Sequence, residues 1–236
     1  GCRVVAWEPI PAFRAFLQTA ARLNHVAHKI HVRDTVVSDE AGATINLTVP
    51  TRGYWGTASV GGLNIEPAIK APVYHVSATS ETLDQVVREQ ACVMKLDVEG
   101  HEPSVLRGGA SRFLKDYAPR AILTEYTPGV LERAHARGGL VEYPRSLRRL
   151  HDAGYALWHL AGARKGTQVE ALRRRPTLPP LPRISQRTIA AEELTAVNMA
   201  RRAFAMPWDL HPHALHAELS HNTAMIPSLD QDAIPD

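Results

Sequence analysis

The stretch "CVMKLDVEGHE", residues 92–102, sets Asp97, Glu99, His101 and Glu102 around one glycine, Gly100, where an apolar run ends. Carboxylates so placed can take a proton from a hydroxyl, orient a reacting group or ligate a hard cation. An imidazole can hold or pass a proton near neutral pH. Two further acids end apolar runs: Glu8 in "CRVVAWEP" and Glu125 in "RAILTEY". In open α/β sheets ligands bind beyond the carboxyl ends of the strands, and an acid there can accept both hydrogen bonds of a ribose diol. The plainer account of Glu8 alone is an exposed strand-end acid. With Pro9 after it and a β-α-β context, ribose binding is preferred. Asp97 needs a partner on so apolar a strand, and Lys95, two residues earlier on the same face, can supply one. The plainer account of that pair is a structural ion pair. The two-residue spacing of Asp97, Glu99 and His101 does not show that they converge, because the strand must end among them. Metal ligation is the minority reading, and no metal is expected.

The elements that would position these residues alternate. "CRVVAWEP" (2–9) reads as a strand, "PAFRAFLQTAARLN" as a helix with Pro11 in its first turn, and "KIHVRDTVVS" (29–38) as a second strand; a β-α-β opening favours a parallel pair with a right-handed crossover. Residues 42–80 read as a β-hairpin insertion with a flexible tip, since "ATINLTV" and "VYHVSA" alternate apolar and polar residues. A short helix is expected over 80–90, with Ser80 as its N-cap. "CVMKLDV" (92–98) is the third parallel-type strand. A helix over 102–117 is broken near Gly108-Gly109, and a fourth strand follows at 120–126. Another helix and the strand "YALWHL" (155–160) complete the pattern of a doubly wound α/β sheet. "RPTLPPLP" reads as an extended linker, with a polyproline ligand as the less favoured account. Residues 190–206 have helical spacing, and the tail from Pro207 has little periodicity. The expected division is a domain over 1–170, a linker over 171–189 and a helical extension over 190–236.

Composition bounds the rest. The 236 residues are 44% hydrophobic and 22% charged, as in an ordinary globular protein. A net charge of +3 is too small to imply nucleic-acid binding, and Arg148-Arg149 and Arg173–Arg175 read as solvated faces. No apolar stretch of ~18 residues exists to span a membrane, and no signal peptide is visible. The default expectation is a cytoplasmic domain, with room for an upstream targeting or anchor segment. The two cysteines suggest no disulfide framework, and Cys92, at the head of an apolar strand, is expected to be a buried thiol. His211, His213, His216 and His221 match no common zinc spacing and read as surface residues; Trp158 and Phe204 read as core.

Taken together, "VVAWEP", "VVSDEAG", "WGTASV", "TLDQVV", "MKLDVEGHEPSVLRGG" and "RAILTEYTP", in that order, resemble the FkbM family of S-adenosylmethionine-dependent methyltransferases over about residues 3–160. "KLDVEGHE" is the most specific of these segments. The resemblance implies a Rossmann-like class I methyltransferase sheet of seven strands. It also implies S-adenosylmethionine as cofactor, and O-methylation of a hydroxyl on a sugar or small natural product. Glu8 matches the acid that binds the cofactor ribose. Ser38 and Asp39 match the loop that meets the adenine edge, and Asp97 the acid beside the sulfonium and the acceptor. Trp55, with Gly56, Thr57 and Ser59, matches a segment at the mouth of the site, and Glu125 an acid facing the acceptor. Glu99, His101 and Glu102 match the signature without settled individual roles. His101 and Asp97 are the candidate bases. The family's first strand and glycine-rich loop would precede Gly1, so the resemblance implies a fold truncated at its N-terminus.

The reading from another class is a non-catalytic remnant or interaction protein that keeps the scaffold. A nicotinamide-dependent oxidoreductase is weaker: Glu8 would suit it equally, and "DVEGHE" argues against it. The expected partner is a small-molecule acceptor, with no nucleic acid; the oligomeric state is not legible.

Overall fold

The computed structural model describes residues 2–52, 55–62, 72–126, 140–159, 183–191 and 223–227. It is a mixed α/β structure. The opening β-α-β is as expected: β1 (Val4–Trp7) pairs in parallel with β2 (Ile30–Arg33) across α1 (Pro11–Leu23). Pro11 stands at the start of α1, where its missing N–H costs nothing. The apolar face of α1 is only partly covered, leaving Phe16 and Leu23 68% and 75% exposed.

The second predicted strand is two. Past Asp34-Thr35 the chain leaves β1 and re-forms as β3 (Val36–Val37), which pairs in parallel with the end of β6 (Val73–Glu81). This break carries Ser38 and Asp39 from one ladder to another. The expected hairpin is present: β4 (Thr44–Pro50) runs antiparallel to β6 from Thr44↔Thr79 to Pro50↔Val73, and β5 (Ser59–Val60) adds to the far edge of β4. Between β4 and β6, residues 53–54 and 63–71 lie outside the described residues.

Ser80 is not a helix cap. It sits in β6, where its hydroxyl donates to the Glu40 carbonyl (2.7 Å) and accepts from the Ala43 N–H (3.0 Å), closing the base of the hairpin. The helix predicted over 80–90 shrinks to one turn, α2 (Leu83–Val86), with extended Thr82 before it. Asp84 on that turn accepts the N–H groups of Ser111, Arg112 and Phe113 (2.6–3.0 Å), so a distant carboxylate satisfies orphan donors at the start of α4 (Phe113–Asp116).

β7 (Val93–Leu96) and β8 (Ala121–Thr124) form the predicted parallel pair, with α3 (Glu102–Arg107) and α4 between them. The break between these helices falls at Gly108-Gly109, as expected, and its cause is close packing. A Cβ on Gly108 would lie 2.0 Å from the Ser38 carbonyl oxygen, and one on Gly109 2.8 Å from the Phe113 ring. α5 (Glu142–Asp152) and β9 (Tyr155–His159) follow.

The described strands make three ladders: β1-β2, β3-β6-β4-β5 and β10-β9-β11-β8-β7. β10 (Arg183–Ile184) and β11 (Thr223–Pro227) come from segments that read as linker and aperiodic tail. Residues 186–191 are helical, four residues ahead of the start of the helix predicted at 190–206. β11 lies antiparallel between β8 and β9. Its five residues, "TAMIP", carry too little alternation to mark a strand by pattern, so the pairing partners decide it. The core gathers Leu83, Leu106, Ile122, Leu147, Leu157 and others between the five-stranded ladder and α3, α4 and α5. No described helix is long and apolar enough to cross a membrane.

Cys92 is exposed rather than buried, because it precedes β7, which pairs only with β8 among the described strands; Val93 beside it is 66% exposed. Arg149 is no freely solvated cation: it is half-buried and pairs with Glu142 (3.4 Å). Phe204, Arg173–Arg175 and the four histidines after residue 210 lie outside the described residues, as does the side chain of Trp158.

Candidate active site

The "DVEGHE" segment is a turn that sends its polar side chains three ways. Glu99 has φ 55° and Gly100 φ 102°, and the His101 N–H returns to the Val98 carbonyl (3.3 Å). A left-handed conformation suits glycine but costs a glutamate of order 1–2 kcal/mol. What holds the turn is Glu102. Its buried carboxylate accepts the N–H groups of Val98 (2.8 Å) and Gly100 (3.1 Å) and the hydroxyl of Tyr143 (3.1 Å). Burial raises its pKa, against the pull of those hydrogen bonds. Tyr143 also meets the Tyr126 ring edge-on, with centroids 5.6 Å apart, so the end of β8 and the turn share one anchor.

The first group of site residues forms at the carboxyl ends of β7 and β8. Asp97, Glu99 and Glu125 each offer a carboxylate oxygen, and these atoms lie within 4.8 Å of one another. The convergence that spacing left open is therefore real for Asp97 and Glu99. Asp97 is exposed, not buried as the apolar strand suggested. The expected pair with Lys95 is present at 2.7 Å, with the lysine in solvent. Carboxylate oxygens gathered so closely are the ligand type that a hard cation takes. The donor set could hold a divalent ion as well as receive a proton.

The second group lies where α3 meets the loop after β3. His101 Nε2 is 3.1 Å from Ser38 Oγ, and that hydroxyl donates to Asp39 Oδ1 at 3.1 Å. Arg107 Nε donates to Asp39 Oδ2 (2.9 Å), and Arg107 also reaches Glu142 (2.6 Å) and Ser104 (2.8 Å). Burial lowers the His101 pKa, with Arg107 adding to the effect and Asp39 opposing it. Burial pushes the Asp39 carboxyl up, but Arg107 outweighs it, and the net shift is downward. His101 thus joins the two residues predicted to meet the adenine edge, while the other candidate base, Asp97, belongs to the carboxylate group. Nothing in the sequence marked Arg107, which clamps this second group.

Glu8 has contacts of its own. Its Oε1 accepts the Ile10 N–H (2.9 Å), its backbone N–H donates to the Arg33 carbonyl (2.9 Å), and Arg14 donates to the carbonyls of Glu8 and Pro9 (3.0 and 3.2 Å). Burial raises its pKa, opposed by the Ile10 hydrogen bond and the Arg14 charge. Oε2 has no partner among the described residues, so the carboxylate is oriented and still has an acceptor to offer. That acceptor chemistry fits a ribose diol. Trp55 stands on a single 3-10 turn against β4, 53% exposed, and joins neither group of charged residues.

No curated protein and no solved structure matches the chain. A family model does: the methyltransferase FkbM domain matches residues 1–157, a span holding β1 through β8 and all of the acids described above. The chain belongs to the FkbM methyltransferase family.

Proposed function

We propose that this methyltransferase uses S-adenosylmethionine and methylates a hydroxyl oxygen of a small molecule, a sugar or a natural product. The observation that carries the proposal is the convergence of Asp97, Glu99 and Glu125 at the ends of two adjacent parallel strands. A bound S-adenosylmethionine would supply an activated methyl group, so the protein has to align donor and acceptor and remove one proton. Glu8 would hold the ribose through its unspent oxygen. Ser38 and Asp39 would line the adenine side, stiffened by His101 and Arg107. Trp55 would flank the mouth from the hairpin. Asp97 would accept the hydroxyl proton, with Glu99 and Glu125 beside it at the strand ends.

The sheet supports the same reading. Among the described strands β1 and β7 are each paired on one side only. We read β1-β2 and the five-stranded ladder as parts of one doubly wound, Rossmann-like sheet. The domain then occupies residues 1–170, with a linker over 171–189 that carries β10 and an extension over 190–236 whose β11 returns to that sheet.

The test is an Asp97→Asn variant assayed for methyl transfer against a panel of sugars and hydroxylated natural products. Turnover is expected to fall roughly 100- to 10,000-fold with the thermal unfolding curve unchanged. Unaltered turnover would remove Asp97 from the chemistry.

A further inference from the structure

We propose that Glu81 is a positioning residue for the ribose-binding end of β1, acting through Trp7 and Arg33; this rests on the assignment of Glu8 to the ribose. Glu81 is the last residue of β6, the long strand of the hairpin, and is 8% exposed. Its carboxylate is fully engaged. Oε1 accepts the indole N–H of Trp7 and the Arg33 Nε–H (2.5 Å), and Oε2 accepts from the other arm of the guanidinium (2.6 Å). Burial pushes this carboxyl up, and the hydrogen bonds of Arg33 and Trp7 outweigh it, leaving its pKa lowered.

Both donors bear directly on Glu8. Trp7 is its neighbour in β1, and the Arg33 carbonyl holds the Glu8 N–H at 2.9 Å. The peptide that carries the ribose acid is thus gripped from both sides by groups that Glu81 fixes. Glu81 belongs to a different ladder from β1 and β2. The orientation of the nucleoside site is therefore set from the hairpin and not from β1 and β2 alone. A two-armed guanidinium contact fixes direction as well as distance, which is what a positioning contact requires. Sub-ångström placement of a binding carboxylate governs how well it meets a diol.

Removing a member of a buried ion pair strands its partner's charge and endangers the fold. The informative variant is therefore Trp7→Phe, which deletes one N–H and leaves Arg33–Glu81 intact. Binding of S-adenosylhomocysteine is measured by calorimetry for the wild type, Trp7→Phe, Glu8→Gln and the double variant, with thermal unfolding as the check on folding. Glu8→Gln is expected to weaken binding roughly 10- to 100-fold, and Trp7→Phe roughly 5- to 10-fold. The double variant is expected to bind within about twofold of Glu8→Gln alone, because Trp7 acts through Glu8. Losses that multiply, or a Trp7→Phe variant that binds like the wild type, would overturn the role given to Glu81. If Glu8→Gln binds like the wild type, or the wild type does not bind, it is the ribose reading beneath it that fails.

Discussion

The carboxylates at the ends of β7 and β8 and the knot around His101 both draw on the same eleven-residue stretch, yet they are built on opposite principles. Asp97, Glu99 and Glu125 crowd like charges together, with Lys95 in solvent as the cation paired with Asp97. Around His101 the charges alternate in sign. Asp39 meets Arg107, Arg107 meets Glu142, and Glu142 meets Arg145 and Arg149. The first arrangement gathers acidic groups at two strand ends. The second pairs each charge with its opposite and holds two segments in register. The difference separates a cluster of acidic ligands from a network that ties the loop after β3 to α3.

Disturbing the packing of α3 against this loop is expected to cost the most stability. Gly108→Ala puts a methyl group into the Ser38 carbonyl, which is backbone and has nowhere to turn. A loss of about 3 kcal/mol, or roughly 6–12 °C in the melting midpoint, is expected by scanning calorimetry. A midpoint within about 2 °C of the wild type would mean that α3 does not press on this loop. Next comes Glu102→Gln. The amide keeps one acceptor but turns N–H against N–H at Val98 or Gly100. A cost of about 1–3 kcal/mol is expected in urea unfolding, with a fall in turnover because Glu99 loses its turn. Stability lost with turnover kept would unlink the turn from the chemistry.

The pH dependence sharpens the contrast further. Burial lowers the His101 pKa below its ordinary 6.5, so the folded state binds this proton less readily than the unfolded chain. The stability it contributes is complete above about pH 6.5 and is lost as pH falls toward the lowered value, by at most about 1.4 kcal/mol per pH unit. His101→Gln should flatten that part of the stability curve. Identical slopes in the two proteins between pH 6.5 and 5 would contradict a buried, neutral imidazole. The smallest effect belongs to Lys95→Ala. Its pair with Asp97 is exposed, and stability should change by less than about 0.5 kcal/mol. A shift in the pH profile of turnover with no change in stability would tie Lys95 to the Asp97 proton.

Much of the domain was legible because it follows periodicity. The β-α-β opening, the hairpin, the β7–β8 pair and the break at Gly108-Gly109 all come from local patterns whose partners lie close in sequence. Ser80 misled because a serine before a helical stretch looks like a cap, while its hydroxyl is spent on Glu40 and Ala43 some forty positions back. Cys92 and Val93 read as buried because apolar runs do, yet both are in solvent, where β7 has β8 as its one partner among the described strands. The site followed the same rule. The acids could be found at strand ends, and the Lys95–Asp97 pair is two residues long. Which of Glu99, His101 and Glu102 turned where depended on Tyr143, Ser38 and Glu125, none of them within ten residues. Arg107 and Glu81 carry no pattern at all; only the fold shows what they clasp.

The placement of β11 also bears on how the chain folds in time. Roughly 100 residues separate Thr124 from its neighbour Thr223, and a contact of such range forms only after the entropy of closing that loop has been met. On a ribosome β8 is complete long before its partner has been made. The nascent sheet waits with an open edge between β8 and β9 until Thr223–Pro227 has been made and closes it.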